Sequence, residues 1–301
     1  MYLFSENSYN NILRIKEQCE TSLLKELNVK LGSSYHEYSP LMCSIGKWND
    51  FHEEDLFRIF PLQKNVKCIT DLNLLNKLEK IFTSEDSYLP LDYIVDKENT
   101  RVSFSSKNFH KENEFVNLIY TATDIIKDSD SFLFKLYERM ISYIFPIFPL
   151  KGANLFTAFS TYRMMDSIFI SPNNYSSQYQ EIDYSIHLIH ELGHQVLYVW
   201  QTYDPLILNS QNTIAYSALR KSYRPALASL HSAVALAFML KLCYSIDNLD
   251  NLTSEQKIYI RNRINIFLVD LKSNIKSIID NCTLTKIGGG IILEICELID
   301  E

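Results

Sequence analysis

No CxxC pair, no block of lysine and arginine and no N-terminal basic segment leading into an apolar core occurs in this chain. The six cysteines, Cys19, Cys43, Cys68, Cys243, Cys282 and Cys296, are scattered, which favours reduced thiols in a cytoplasmic protein over a disulfide framework. With a formal net charge of −7 and no basic stripe, the chain lacks the electrostatic footprint of a nucleic-acid binder. No uninterrupted apolar run reaches the roughly 18 to 20 residues of a membrane helix, so a soluble protein without a membrane partner is expected. What the chain does have is ample apolar material, 47% of 301 residues, enough for one large domain or two ordinary ones.

The pattern along the chain predicts an α+β protein, mostly α, with a small β-sheet beside a buried helical core. NNILRIKEQCETSLLKEL and DLNLLNKLEKIF read as amphipathic helices, and residues 112 to 145 read as helical until Pro146 and Pro149 end the pattern. Residues 1–145 thus form a helical flank, a candidate for substrate recognition, and 146–301 a metal-binding catalytic domain. NLFTAFSTYR and DSIFISPNN have the aromatic and β-branched texture of paired strands. A helix is expected from Ser177, where Ser177 and Gln180 suit a capping box, to about Trp200. A loop to about Tyr223 follows, then a buried helix opened by Pro225, a long helix from Ser254 to about Ile279, and a short final helix after TLTKIGGG. The glycines at 288 to 290 read as a plain turn, because no GK[ST] follows them.

The chemistry concentrates in SIHLIHELGHQVLYVW. At about 100° per residue, Asp183, His187, His190, Glu191, His194 and Tyr198 fall within roughly a third of the helix circumference, and Ile, Leu and Val fill most of the rest. A solvent stripe would carry Lys and Arg; this one carries histidines, which predicts an internal polar site. His190 and His194, one turn apart, can offer two imidazole nitrogens to one metal ion, with Glu191 beside them in the HExxH pattern. The alternative is a hydrogen-bonded histidine cluster without metal.

A third ligand is not found where two familiar extensions would put it. The metzincin pattern needs glycine at 197 and histidine at 200, and these are Leu197 and Trp200; no glutamate follows Glu191 until Glu255. His231, alone among apolar residues in the next helix, is the leading candidate, with Asp204 as the alternative and His187 as an outer neighbour. His36, His52 and His110 sit in charged surroundings and are expected to face water. Such ligands suit zinc hydrolysis and non-haem iron oxygen chemistry alike.

Taken in order, DSIFISP, HELGH, YRPALASLHSAVALAF and TLTKIG resemble the HExxH-type peptide β-hydroxylases, Fe(II)- and 2-oxoglutarate-dependent enzymes that modify ribosomally made peptides. The resemblance covers about residues 150 to 300 and rests on Ser171 and Pro172, His190 to His194, Arg224 with Pro225, and His231. It implies a dioxygenase that binds Fe(II) through His190, His194 and His231, uses 2-oxoglutarate as cosubstrate and hydroxylates a side-chain carbon of a peptide. In that reading Glu191 orients a neighbouring group. An arginine fork pairs well with the distal carboxylate of the keto acid. Arg224, seven residues before His231, is the candidate, with Arg220 and Arg163 in reserve. HELGH also occurs in metallopeptidases, where zinc is the metal and Glu191 would be the general base. A non-catalytic metal- or peptide-binding module is the third possibility.

Overall fold

The computed structural model describes residues 2–31, 67–68, 102–103, 112–149, 158–161, 165–172 and 178–300. The protein is mostly helical with a small sheet. It divides into two compact units, both discontinuous in sequence: Met1–Glu17, Tyr120–Met140 and Ser177–Glu301 in one, Gln18–Ile119 and Ile141–Ser176 in the other. The helix expected over DLNLLNKLEKIF lies outside the described residues.

The second unit holds the sheet. Strands β1 (Lys67–Cys68), β3 (Tyr143–Pro146), β6 (Ser167–Ile170) and β5 (Ala158–Phe159) lie side by side in that order. β3 runs parallel to both β1 and β6, and β5 runs antiparallel to β6. A separate antiparallel pair joins β2 (Val102–Ser103) to β4 (Phe148–Pro149). The pairing expected between NLFTAFSTYR and DSIFISPNN is present, and the rings of Phe159 and Phe169 stack across it at 4.6 Å. Residues 143–145, expected as helix, are strand instead. Tyr-Ile-Phe is aromatic and β-branched, and pairing with β6 on one side and β1 on the other overrides the helical run before it.

The first unit is the helical core. It includes part of α1 (Glu6–Leu31) and of α2 (Glu112–Ser129), then α3 (Ser131–Met140), α4 (Gln180–Tyr203), α5 (Ala226–Asp247), α6 (Ser254–Asn281) and α7 (Lys286–Asp300). Asp130 splits what reads in sequence as one helix into α2 and α3: its Oδ1 accepts from the Leu133 backbone N–H at 2.9 Å, an N-terminal cap, while Oδ2 receives the Ser245 hydroxyl of α5 at 3.0 Å. α6 begins with a full capping box, Thr253 Oγ1 accepting from Gln256 N and Gln256 Oε1 from Thr253 N.

α5 is apolar on every side, and it is long and apolar enough to cross a membrane by length and composition, contrary to the sequence expectation. Yet 78% of that stretch is buried within the protein, as befits a central core helix packed on α4 and α6. The three glycines stand inside the first turns of α7, a correction to the expected turn. A side chain at Gly288 would collide with the Leu206 backbone, and one at Gly290 with the Tyr2 ring, so closeness of packing explains these two. Among the described residues Cys19, Cys243, Cys282 and Cys296 form no disulfide.

The chain's first residues are stitched to this core. The buried Glu294 carboxylate of α7 accepts backbone N–H bonds from Tyr2, from Leu3 at 2.9 Å and from Phe4 at 3.3 Å, and Trp200 Nε1 donates to the Tyr2 carbonyl at 3.0 Å. Phe4 meets Phe238 of α5 with ring centroids 4.9 Å apart. Replacing Glu294 by Ala orphans these donors, and a loss of about 2 kcal/mol in urea unfolding is the expected result. An unchanged midpoint would show that water replaces the carboxylate.

Candidate metal centre

Two helices build the site. α4 starts at Gln180 with Tyr179 at its N-cap position and no side-chain cap, later than the Ser177 start expected; Ser177 itself lies outside the described residues. Glu181 and Asp183 in its first turn complement the helix dipole. α5 lies close against it because Gly193, the glycine of HELGH, leaves room: a Cβ there would stand 3.1 Å from Ala235 Cα and 3.3 Å from Phe238 Cγ. Gly193→Ala is therefore expected to push the helices apart by a few tenths of an ångström. Overpacking of this kind costs about 1–3 kcal/mol. A drop in melting temperature with weakened metal uptake checks it.

Across that close contact the expected histidines meet. Nε2 of His190 and Nε2 of His194 are 3.1 Å apart. His194 Nδ1 lies 3.2 Å from His231 Nδ1, and His231 Nε2 lies 3.2 Å from Gln201 Oε1. His190 Nδ1 faces the Met239 sulfur at 3.0 Å. Glu191 is buried, and its Oε1 stands 3.7 Å from His190 Nε2. Tyr198 lies against His231, ring centroids 4.7 Å apart. His187 remains one turn away, its ring 6.3 Å from that of His190.

Burial holds all these imidazoles neutral. It pushes His190 down to about 3, helped by the charges of His187 and Arg220, and His231 down to about 3 unaided. His187 falls to about 4 through burial and the nearby Arg263. His194 is lowered well below its ordinary value by burial, then by His190, His231, Arg220 and Arg224. Neutral imidazole is the form that binds metal.

The separation of the two Nε2 atoms is one that nitrogens bound at about 2.0–2.1 Å to a common ion would also have. With a buried carboxylate alongside, the donor set fits a divalent transition metal. His231 turns its Nδ1 to the far side of the His194 ring, not to the point between the two Nε2 atoms. Among the described residues no group of three His, Cys, Asp or Glu side chains converges as ligands of one ion. Asp204, the alternative ligand, is occupied in the turn that ends α4: its Oδ1 accepts from Leu206 N at 2.7 Å and Thr285 Oγ1 at 2.6 Å. His36, His52, His110 and Arg163 lie outside the described residues.

No model of a known protein family and no curated protein sequence matches the chain.

Arg224 is not on α5, as its spacing to His231 would have it, but in a hairpin. β7 (Ile214–Ser217), a short 3₁₀ turn at Ala218–Arg220, and β8 (Ser222–Pro225) occupy the expected loop. A residue before proline is driven out of the α region, so Arg224 extends and the helix begins only at Ala226. The hairpin is clamped to α5 and α6: Asn274 Oδ1 accepts from Ala218 N at 2.9 Å while its Nδ2 donates to Ser229 O at 2.9 Å, and Ser277 Oγ accepts from Tyr216 N at 2.8 Å. Arg220 and Arg224 are both exposed on it, and the charge of each reaches His194.

Four residues escaped the sequence reading: Gln201, Met239, Tyr259 and Arg263. Gln201 continues the α4 stripe one turn beyond Tyr198, a signal that was there to extend. Tyr259 and Arg263, one turn apart on α6, converge on the buried Asp183, whose Oδ1 accepts from Arg263 Nη2 at 3.0 Å and from the Tyr259 hydroxyl. That ion pair closes the N-terminal end of the polar stripe.

Proposed function

We propose that the protein is an Fe(II)- and 2-oxoglutarate-dependent hydroxylase acting on a side-chain carbon of a ribosomally made peptide. The observation that carries this reading is the pairing of two neutral Nε2 atoms, 3.1 Å apart, with the buried carboxylate of Glu191 beside them. Two histidines and one carboxylate are the donor type of non-haem iron oxygenases. The order of motifs that resembles the peptide β-hydroxylases adds the substrate class and the cosubstrate. His190 and His194 hold the metal; Glu191 and His231 are the candidates to complete or orient its ligand set. Bound iron supplies the activation of dioxygen that turns a C–H bond into C–OH while 2-oxoglutarate becomes succinate and CO2. The clamped hairpin contributes Arg224 and Arg220 as counter-charges for the cosubstrate carboxylates.

Anaerobic, iron-loaded protein is expected to bind 2-oxoglutarate with a weak visible charge-transfer band, and Arg224→Met to weaken that binding. Calorimetry that detects no 2-oxoglutarate binding to the iron-loaded protein removes the oxygenase reading. An unchanged Arg224→Met response moves the role to Arg220.

One contact favours a second reading. Glu191 Oε1, 3.7 Å from the His190 nitrogen that faces the metal position, is also where the general base of a zinc peptidase is needed.

A further inference from the structure

We propose that His231 acts as a positioning residue: together with Gln201 it sets the tautomer of His194 so that His194 turns a lone pair toward the ion it shares with His190. The proposal rests on the metal site of the preceding section but not on the reaction assigned to it.

The Gln201 carbonyl Oε1 only accepts, so the His231 Nε2 atom 3.2 Å away carries the hydrogen and donates. A neutral imidazole has one N–H, which leaves a lone pair on His231 Nδ1. That lone pair faces His194 Nδ1 at 3.2 Å, so His194 donates from Nδ1 and its Nε2 is bare. On the other side, His190 Nδ1 abuts the Met239 thioether at 3.0 Å, a weak acceptor with no proton to give, so the hydrogen belongs on Nδ1 and His190 Nε2 is bare as well. The chain of three imidazoles, an amide and a thioether thus ends in two lone pairs facing each other at 3.1 Å. Two such lone pairs repel unless a cation lies between them. A metal ion shared by the two Nε2 atoms is such a cation.

This assigns His231 the part that outer hydrogen-bond partners play at metal sites, where they fix ring orientation and raise ligand basicity. It explains why His231 sits behind His194, and why Gln201 continues the polar stripe past Tyr198. The Gln201 amide is the polarity switch. Its Nε2 is buried with no hydrogen-bond partner among the described residues, so His231 is the contact that orients it. Turned by half a revolution, the amide would donate to His231, every proton in the chain would shift, and His194 Nε2–H would bond to His190 Nε2 with no ion needed.

The two polarities are told apart by imidazole ¹⁵N spectra of the full chain, labelled in histidine, with and without one equivalent of Zn(II). We expect His190 and His194 to bind zinc through Nε2 with Nδ1 protonated, and His231 to keep Nε2–H with no zinc-induced shift of either nitrogen. His231→Ala should weaken zinc binding by roughly 10- to 100-fold, the usual loss on removing such a partner. His231→Asn, whose side-chain oxygen falls near the position of Nδ1, should recover part of it, which a role in packing alone would not predict. A zinc-bound nitrogen on His231 overturns the proposal and makes it the third ligand. So does His194 carrying Nε2–H in wild-type protein that takes up no zinc, which establishes the metal-free cluster. If the expected tautomers are found but iron-loaded protein forms no succinate, the hydroxylase reading falls and the relay stands.

Discussion

Metal-free protein is expected to lose stability steeply as the pH falls from about 6.5 toward 4. The unfolded chain protonates its histidines at ordinary values near 6.5, whereas the fold holds His187 at about 4, His190 and His231 at about 3, and His194 well below normal. Across that window the unfolded state binds more protons, so stability is full above 6.5, drains as the pH falls, and stops changing for each group below its folded value. Each histidine kept neutral costs about 1.4 kcal/mol per pH unit, and four of them together approach, within two units, the roughly 5–15 kcal/mol that holds a typical domain folded. Urea unfolding in chelator at pH 7, 6 and 5 measures it. His187→Phe, which removes one titrating ring outside the Nε2 pair, should flatten the slope by about 1.4 kcal/mol per unit. Zinc added above pH 6 should raise the whole curve, since it binds only the folded form. Stability that stays level from pH 7 to 5 would mean that water reaches these rings.

The residues that made this site readable in advance are those whose periodicity is strong. His190, His194 and the polar stripe follow from a 3.6-residue repeat in an otherwise apolar segment, and the proximity of His231 follows from one histidine in an all-apolar helix that must pack against it. Contacts set by tertiary pairing were not readable. The stretch 214–225 carries no clean alternation, and its hairpin holds because Asn274, Ser229 and Ser277 satisfy its backbone from helices outside it. Gly288 and Gly290 stand inside a helix where Leu206 and Tyr2 leave no room for a side chain, a constraint local propensity does not express. The side of His194 on which His231 lands depends on sub-ångström ring placement at the α4–α5 crossing, which spacing alone leaves open. The extended backbone at Arg224, placed in the sequence reading at the start of the helix, is what the proline behind it favours.

Glu191→Gln separates the two chemistries that the Nε2 pair can serve. The exchange preserves the shape of a buried side chain and removes its capacity to take a proton. In a zinc peptidase the carboxylate receives the proton of the attacking water, and no other carboxylate among the metal-site residues described here is placed to do so. Hydrolysis should then fall by the roughly 100- to 10,000-fold that general-base catalysis contributes, with zinc retained. In a 2-oxoglutarate-dependent hydroxylase no water has to be deprotonated by Glu191, and an amide beside His190 can still orient its neighbours. The Gln variant should keep part of its succinate formation and part of its 16-dalton mass gain on a cognate peptide, an increment of one oxygen atom. Both assays belong side by side, iron with 2-oxoglutarate and zinc with a peptide pool. Wild-type cleavage that disappears in Glu191→Gln, with no succinate from either protein, would falsify the hydroxylase and install the peptidase. Succinate formation lost together with iron, restored to neither by excess metal, would instead make Glu191 itself the third ligand, completing two histidines and one carboxylate on a single helix.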